Sequence, residues 1–205
     1  MGPARVASVP LTIDHLLSLR AEQIPDTPLI AYPSPGSEYR KYTARQLNAF
    51  AYQAAKRYSK FLPLRTSSSS PERVVALLGV SNFDYVISML GLSKLGMTML
   101  LLSTRISDDA YRHLIEKTNC SHVLVQGAFE KTISRVREGF PRPLSVFLMA
   151  ESSSFDSSVV PEREKFLPAE DTRFGMRFNP VEERDKRAWI IHSSGSTGLP
   201  KPIGT

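Results

Sequence analysis

Residues able to do chemistry are densest near one end of the 205-residue chain. The hydroxyls of Ser193, Ser194, Ser196 and Thr197 are interleaved with Gly195 and Gly198, and Lys201 follows. A hydroxyl both donates and accepts a hydrogen bond, and lysine adds three donors on a positive charge. Glycine lets the backbone turn in ways closed to other residues and come close to a ligand. Successive backbone N–H groups in such a turn form an anion-binding concavity. The ligand that suits these groups is a phosphate chain. A hydrogen bond to a charged group contributes about 1.5–3 kcal/mol, so a few of them hold a triphosphate.

Several familiar loops do not fit. A G-x-x-x-x-G-K-[ST] loop fails because Leu199 and Pro200 separate Gly198 from Lys201. The dinucleotide fingerprint G-x-G-x-x-G does not match Gly195-Ser-Thr-Gly198. A G-x-S-x-G elbow around Ser196 needs glycine at 194, where Ser194 stands. Two other readings stay open: a serine hydrolase with Ser196 as nucleophile beside His192, and a flexible Ser/Gly linker. A linker, however, needs neither a lysine nor two prolines directly after the apolar run 188–191.

The loop must be carried by a scaffold, and the alternation of apolar runs with helical patterns describes one. Residues 12–23 read as a helix ended by Pro25 and Pro28. Short strands at 29–32 and 38–42 flank a Pro-Ser-Pro-Gly turn. The clearest helix is 43–62, where Thr43 and Gln46 form a capping box and Leu47, Phe50, Ala51, Ala54, Tyr58 and Leu62 share a face. Strand 74–79, helix 82–95 stopped by Gly96, and strand 97–102 make a βαβ unit. A helix at 108–118, a strand at 122–125, a helix at 129–140 and a strand at 145–149 follow. The expected class is α/β, with a parallel-rich sheet and helices on both faces. Residues 150–187, rich in Ser, Glu, Asp, Arg and Pro, read as an irregular surface excursion. Glu162, Glu164, Glu182, Glu183 and Asp185 are expected on a solvated surface, as is the serine run 67–70. A strand and the hydroxyl loop then occupy 188–204.

Composition narrows the partners. Hydrophobic content of 41% with 22% charged residues is that of a globular chain. The net charge of +6 comes from scattered Lys and Arg without a basic block, so no nucleic-acid partner is expected. Cys120 is the only cysteine; an internal disulfide is impossible, and a core role in a reducing, cytoplasmic setting is expected. Residues 1–10 hold no continuous apolar core of the signal-peptide kind. The apolar stretch 85–102 is interrupted by Lys94 and Gly96, and is read as a buried helix and strand rather than a membrane span.

Ser193-Ser-Gly-Ser-Thr-Gly-Leu-Pro-Lys201 resembles the phosphate-binding loop of the adenylate-forming superfamily, which includes acyl-CoA ligases, luciferases and the adenylation domains of nonribosomal peptide synthetases. Ser93-Lys-Leu-Gly96 is similar to the family's Leu-Lys-x-Gly segment before its second strand. One departure is Pro202, where the family motif continues with glycine; Pro-Lys-Pro-Ile is similar to fungal synthetase-like reductases. The resemblance implies an incomplete N-terminal part of an adenylation domain over residues 1–205. It implies activation of a carboxylic acid with ATP and Mg²⁺ as an acyl-adenylate, then transfer to a thiol of coenzyme A or of a phosphopantetheine-bearing carrier protein. It assigns the β and γ phosphates to Ser193, Ser194, Gly195, Ser196, Thr197, Gly198 and Lys201, with Lys201 also catalytic. The acyl pocket, adenine contacts, magnesium-binding acid and C-terminal domain are expected after residue 205, so the isolated chain is expected to be inactive. The competing expectation is a non-catalytic remnant that binds nucleotide weakly or serves as an interaction module.

Overall fold

A computed structural model describes residues 12–33, 39–156, 158, 178–193 and 198–204. Helix α1 (Ile13–Gln23) starts where the Thr12 hydroxyl accepts from the His15 N–H. Strands β1 (Pro28–Pro33) and β2 (Tyr39–Thr43) pair antiparallel as a separate ribbon. The Pro-Ser-Pro-Gly turn between them lies almost wholly outside the described residues. Helix α2 (Ala44–Tyr58) carries the expected capping box: the Thr43 side chain accepts from Gln46 N–H, and Gln46 Oε1 accepts from Thr43 N–H. The helix stops four residues before the expected end, and Leu62 is buried from the loop beyond it.

The main sheet is built from β3 (Val74–Leu78), β4 (Thr98–Leu102), β5 (His122–Val125), β6 (Ser145–Leu148), β7 (Trp189–His192) and β8 (Pro202–Gly204). Its order is β6-β5-β3-β4-β7-β8, parallel throughout except for the antiparallel β7–β8 pair. Helix α3 (Phe83–Lys94) links β3 to β4, and α4 (Asp108–Lys117) links β4 to β5. A 3₁₀ turn (Gly127–Phe129) and α5 (Glu130–Glu138) link β5 to β6.

The period-two alternation of strands divides the core by face. Val75, Leu77, Met99 and Leu124 pack with Phe50, Tyr58, Ile87 and Leu92 of α2 and α3. Ala76, Leu78, Leu100, Val123, Val125 and Ile190 pack with Tyr111, Leu114, Ile115, Ile133 and Val136 of α4 and α5. Helices therefore cover both faces, which is why β3 is a continuous apolar run rather than an alternating one. Cys120 is a core residue of the second cluster, and burial pushes its thiol up to about 11. Among the described residues no helix is long and apolar enough to cross a membrane.

Two surface expectations are corrected. Glu183 is buried at the end of the short helix α6 (Pro180–Glu183), and Ser68 is buried within the serine run. Arg65 links them. Its Nη1 and Nη2 donate to Glu183 Oε2 and Oε1 at 2.7 and 2.8 Å, and Nη2 also donates to the Ser67 and Ser68 carbonyls. Lys186 donates to Glu183 Oε1 and to the Ser68 carbonyl. The acidic residue is buried because a bidentate guanidinium and an ammonium satisfy it. Glu162 and Glu164 lie outside the described residues.

Candidate phosphate-binding site

Strand β7 begins beside β4, with Met99 opposite Trp189 and Leu100 opposite Ile190. Trp189 packs toward the α2/α3 face and Ile190, 1% exposed, toward the α4/α5 face. The chain then leaves the core, and Ile191 is 43% exposed. β8 returns antiparallel, pairing His192 with Pro202, Ile191 with Ile203 and Ile190 with Gly204. Sequence reading placed one strand here and missed β8, because a three-residue strand opening on Pro202 carries almost no strand signal. Pro202 is tolerated since β8 is the outer strand of the sheet.

Residues 193–201 thus connect the two strands of a hairpin at the carboxyl end of the parallel strands, the end at which open α/β sheets bind ligands. Two hydrogen bonds close its neck. Ser193 N–H donates to the Lys201 carbonyl at 3.1 Å, and Lys201 N–H donates to Ser193 Oγ at 3.0 Å. Because Ser193 Oγ already accepts, its own O–H proton remains to be donated elsewhere. Gly198 has φ +149, a backbone conformation that side-chain-bearing residues rarely adopt, and a Cβ there would meet nothing within 4 Å. Glycine is required here by the backbone, not by space. Lys201 is exposed, and among the described residues its ammonium has no carboxylate partner. Ser194, Gly195, Ser196 and Thr197 lie outside the described residues.

His192, at the end of β7, is tied on both sides of its ring. Ser103 N–H donates to Nε2 at 3.1 Å, and Nδ1 contacts the Ser193 carbonyl at 3.0 Å. Neither nitrogen is left as a free base for Ser196, which removes the support for the hydrolase reading.

Two other places could hold a ligand by position. The strand order reverses between β3 and β5, where a doubly wound sheet opens a crevice. Gln126 closes it: Oε1 accepts from Val80 N–H at 2.9 Å, and Nε2 donates to the Val80 carbonyl and to Asn82 Oδ1. A cavity of about 590 Å³ lies at the opposite, amino-terminal ends of β4 and β7, bordered by Arg65, Glu183 and Lys186. Those groups bond one another and the backbone as described, so this part of the cavity wall is structural.

The sequence matches the AMP-binding enzyme family over residues 17–204. The chain belongs to that family. It is 30% identical over 207 residues to the adenylate-forming reductase stbB of Stachybotrys bisbyi, covering 98% of this chain and 18% of that protein. It is 26% identical over 192 residues to the indigoidine synthase of Streptomyces lavendulae, covering 94% of this chain and 13% of that one. Among solved structures, the N-terminal domain of FACL13 from Mycobacterium tuberculosis matches with a TM-score of 0.63 and 19% identity, over 95% of this chain and 44% of that one. An anthranilate CoA ligase, AuaEII, in complex with anthranoyl-AMP matches with a TM-score of 0.65 and 17% identity, over 96% of this chain and 34% of that one. These structures show the shared fold, the N-terminal domain of adenylate-forming enzymes. The chain spans less than a fifth of the length of the first curated relatives it matches.

Proposed function

We propose that the tip of the β7–β8 hairpin binds the β and γ phosphates of ATP, and that the protein uses it to activate a carboxylic acid as an acyl-adenylate. The observation that carries this reading is the neck of the hairpin. Ser193 and Lys201 are joined by two hydrogen bonds, which bring the two ends of the segment 193–201 together. Ser193, Ser194, Ser196 and Thr197 supply hydroxyl donors, Gly195 and Gly198 permit close backbone approach, and Lys201 offsets the phosphate charge. Positioned donors of this kind stabilise charge that develops as the leaving pyrophosphate separates. Mg²⁺ accompanies the nucleotide and neutralises phosphate charge; none of the described residues is assigned to it. The acyl group then passes to a thiol, of coenzyme A or of a carrier-bound phosphopantetheine. Residues 188–204 form the functional unit of this region.

The test is substrate-dependent ATP–pyrophosphate exchange over a panel of carboxylic acids, with ATP-Mg binding measured alongside by calorimetry. In a full-length enzyme that contains this segment, Lys201→Ala is expected to lower exchange by about 10²-fold, the scale of losing one positioned donor at developing charge, whereas the isolated chain is expected to show none. Unchanged turnover in that variant removes Lys201 from the site. The second reading, a module that binds nucleotide without turning it over, predicts heat of ATP-Mg binding with no exchange for any acid.

A further inference from the structure

We infer that His192 is a positioning residue that pins the stem of the phosphate loop to the carboxyl end of β4, and that it does so only as the neutral ring protonated on Nδ1. The inference rests on the hairpin tip being the phosphate site. The polarity of its two contacts decides the tautomer. The group facing Nε2 is the Ser103 N–H, which can only donate, so Nε2 must carry a lone pair. The group facing Nδ1 is the Ser193 carbonyl, which can only accept, so Nδ1 must carry the proton. The opposite neutral tautomer would set N–H against N–H at Nε2 and lone pair against lone pair at Nδ1.

The pin has an anchored far side. Tyr111, 1% exposed on α4, donates its hydroxyl to the Ser103 carbonyl at 2.8 Å, and Ser103 Oγ accepts from Arg105 N–H. Ser103 is therefore held through its carbonyl and hydroxyl while its N–H reaches His192. From Ser193 the chain of bonds continues to Lys201. One continuous path thus runs from a buried side chain of α4 to the lysine of the loop: Tyr111, Ser103, His192, Ser193, Lys201. The hairpin needs such a tie. β7 pairs with β4 only through Met99–Trp189 and Leu100–Ile190, and past Ile190 it has left the core. His192 restores contact with β4 one turn of the pleat beyond the last paired residue. A loop that must place several donors on one phosphate chain loses its function when its base tilts, since a 1 Å misplacement can cost on the order of 10²-fold.

Three measurements on the protein and its His192→Leu and His192→Gln variants test this. Leucine keeps bulk and removes both bonds; glutamine reaches about as far as Nε2 and can accept from Ser103 N–H. Long-range ¹H–¹⁵N spectra of histidine-labelled protein, taken above the ordinary imidazole range, should show the ring of His192 protonated on Nδ1 alone; protonation on Nε2 overturns the inference. Amide exchange at Ser103 and Ser193 should be at least about tenfold faster in His192→Leu, with protection largely regained in His192→Gln and the amides of β3 unchanged; equal protection in all three proteins also overturns it. ATP-Mg affinity should fall about tenfold or more in His192→Leu and recover in His192→Gln. A loss of the pin without any loss of affinity overturns the positioning role. If the unaltered protein binds no ATP, the phosphate-site reading fails and the positioning role falls with it, while the tautomer and exchange results still decide whether His192 pins the hairpin.

Discussion

Gly198 shows how a single backbone angle can motivate a test of function. Its φ of +149 lies where glycine is favoured, yet the space beside it is open, so a side chain would meet strain rather than a clash. Strain of this kind costs about 1–3 kcal/mol for a non-glycine residue. Because Gly198 and Leu199 are exposed and belong to neither core cluster, that cost should fall on the loop and not on the fold. Gly198→Val is therefore expected to weaken ATP-Mg binding by roughly tenfold, the equivalent of about 1.4 kcal/mol. Its urea midpoint should stay close to that of the unaltered protein. Calorimetric titration beside equilibrium unfolding checks this; a large drop in midpoint with unchanged affinity would place the role of Gly198 in folding. The glycine was legible in the sequence, since residue type and spacing announced the turn. The closure of the neck was not, because it depends on β8 returning to meet Ser193.

At the scale of elements, local signals carried far and partner-dependent ones did not. The capping box of α2 and the run of β3 are properties of neighbouring residues, and each stands where the pattern puts it. The burial of Glu183 is different. Arg65 is 118 positions away from it, and no pattern within residues 150–187 announces such a partner. Composition there indicated a solvated surface, and burial followed instead from long-range pairing. Gly96, at φ +63, ends α3 as expected, and its carbonyl becomes a further acceptor for Arg65. Burial pushes the Glu183 carboxyl up, but hydrogen bonds and charge from Arg65 and Lys186 outweigh it and hold the group below its ordinary value of 4.5. A carboxyl depressed in the folded state contributes stability that is fully present above its ordinary value and is lost as pH falls through its folded value. The urea midpoint should therefore decline on acidification below about 4.5, and Glu183→Gln should flatten that decline. The same variant should be less stable at neutral pH by about 3–5 kcal/mol, because Arg65 is left buried without its counter-charge. Replacing Arg65 and Glu183 together by Met and Leu should recover much of the loss; if it does not, the pair holds α6 by more than mutual charge compensation.

Across the whole molecule, stability and function sit at different distances from the centre of the sheet. β3 is paired on both sides, by β4 and β5, and Val75, Ala76, Leu77 and Leu78 are fully buried between two layers of helices. The β7–β8 hairpin joins the same sheet by two residue pairs, shows Ile191 and Ile203 at 43% and 47% exposure, and ends on the outer strand. Local opening draws on regions with few buried apolar contacts and exposed backbone hydrogen bonds. Native-state hydrogen exchange should accordingly find the slowest amides in β3 and its two neighbours, exchanging only with global unfolding. The amides of β8 and of Ile191 should open at a free energy well below that limit. Equal protection in β3 and β8 would mean that something beyond the described contacts clamps the hairpin. The expected gradient suits the proposed function, in which the hairpin would meet a phosphate chain while the sheet that carries it stays fixed. His192 stands at the boundary between the two, on the last residue of β7, where the hydrogen bond from Ser103 N–H, just past β4, ties the base of the hairpin to the sheet.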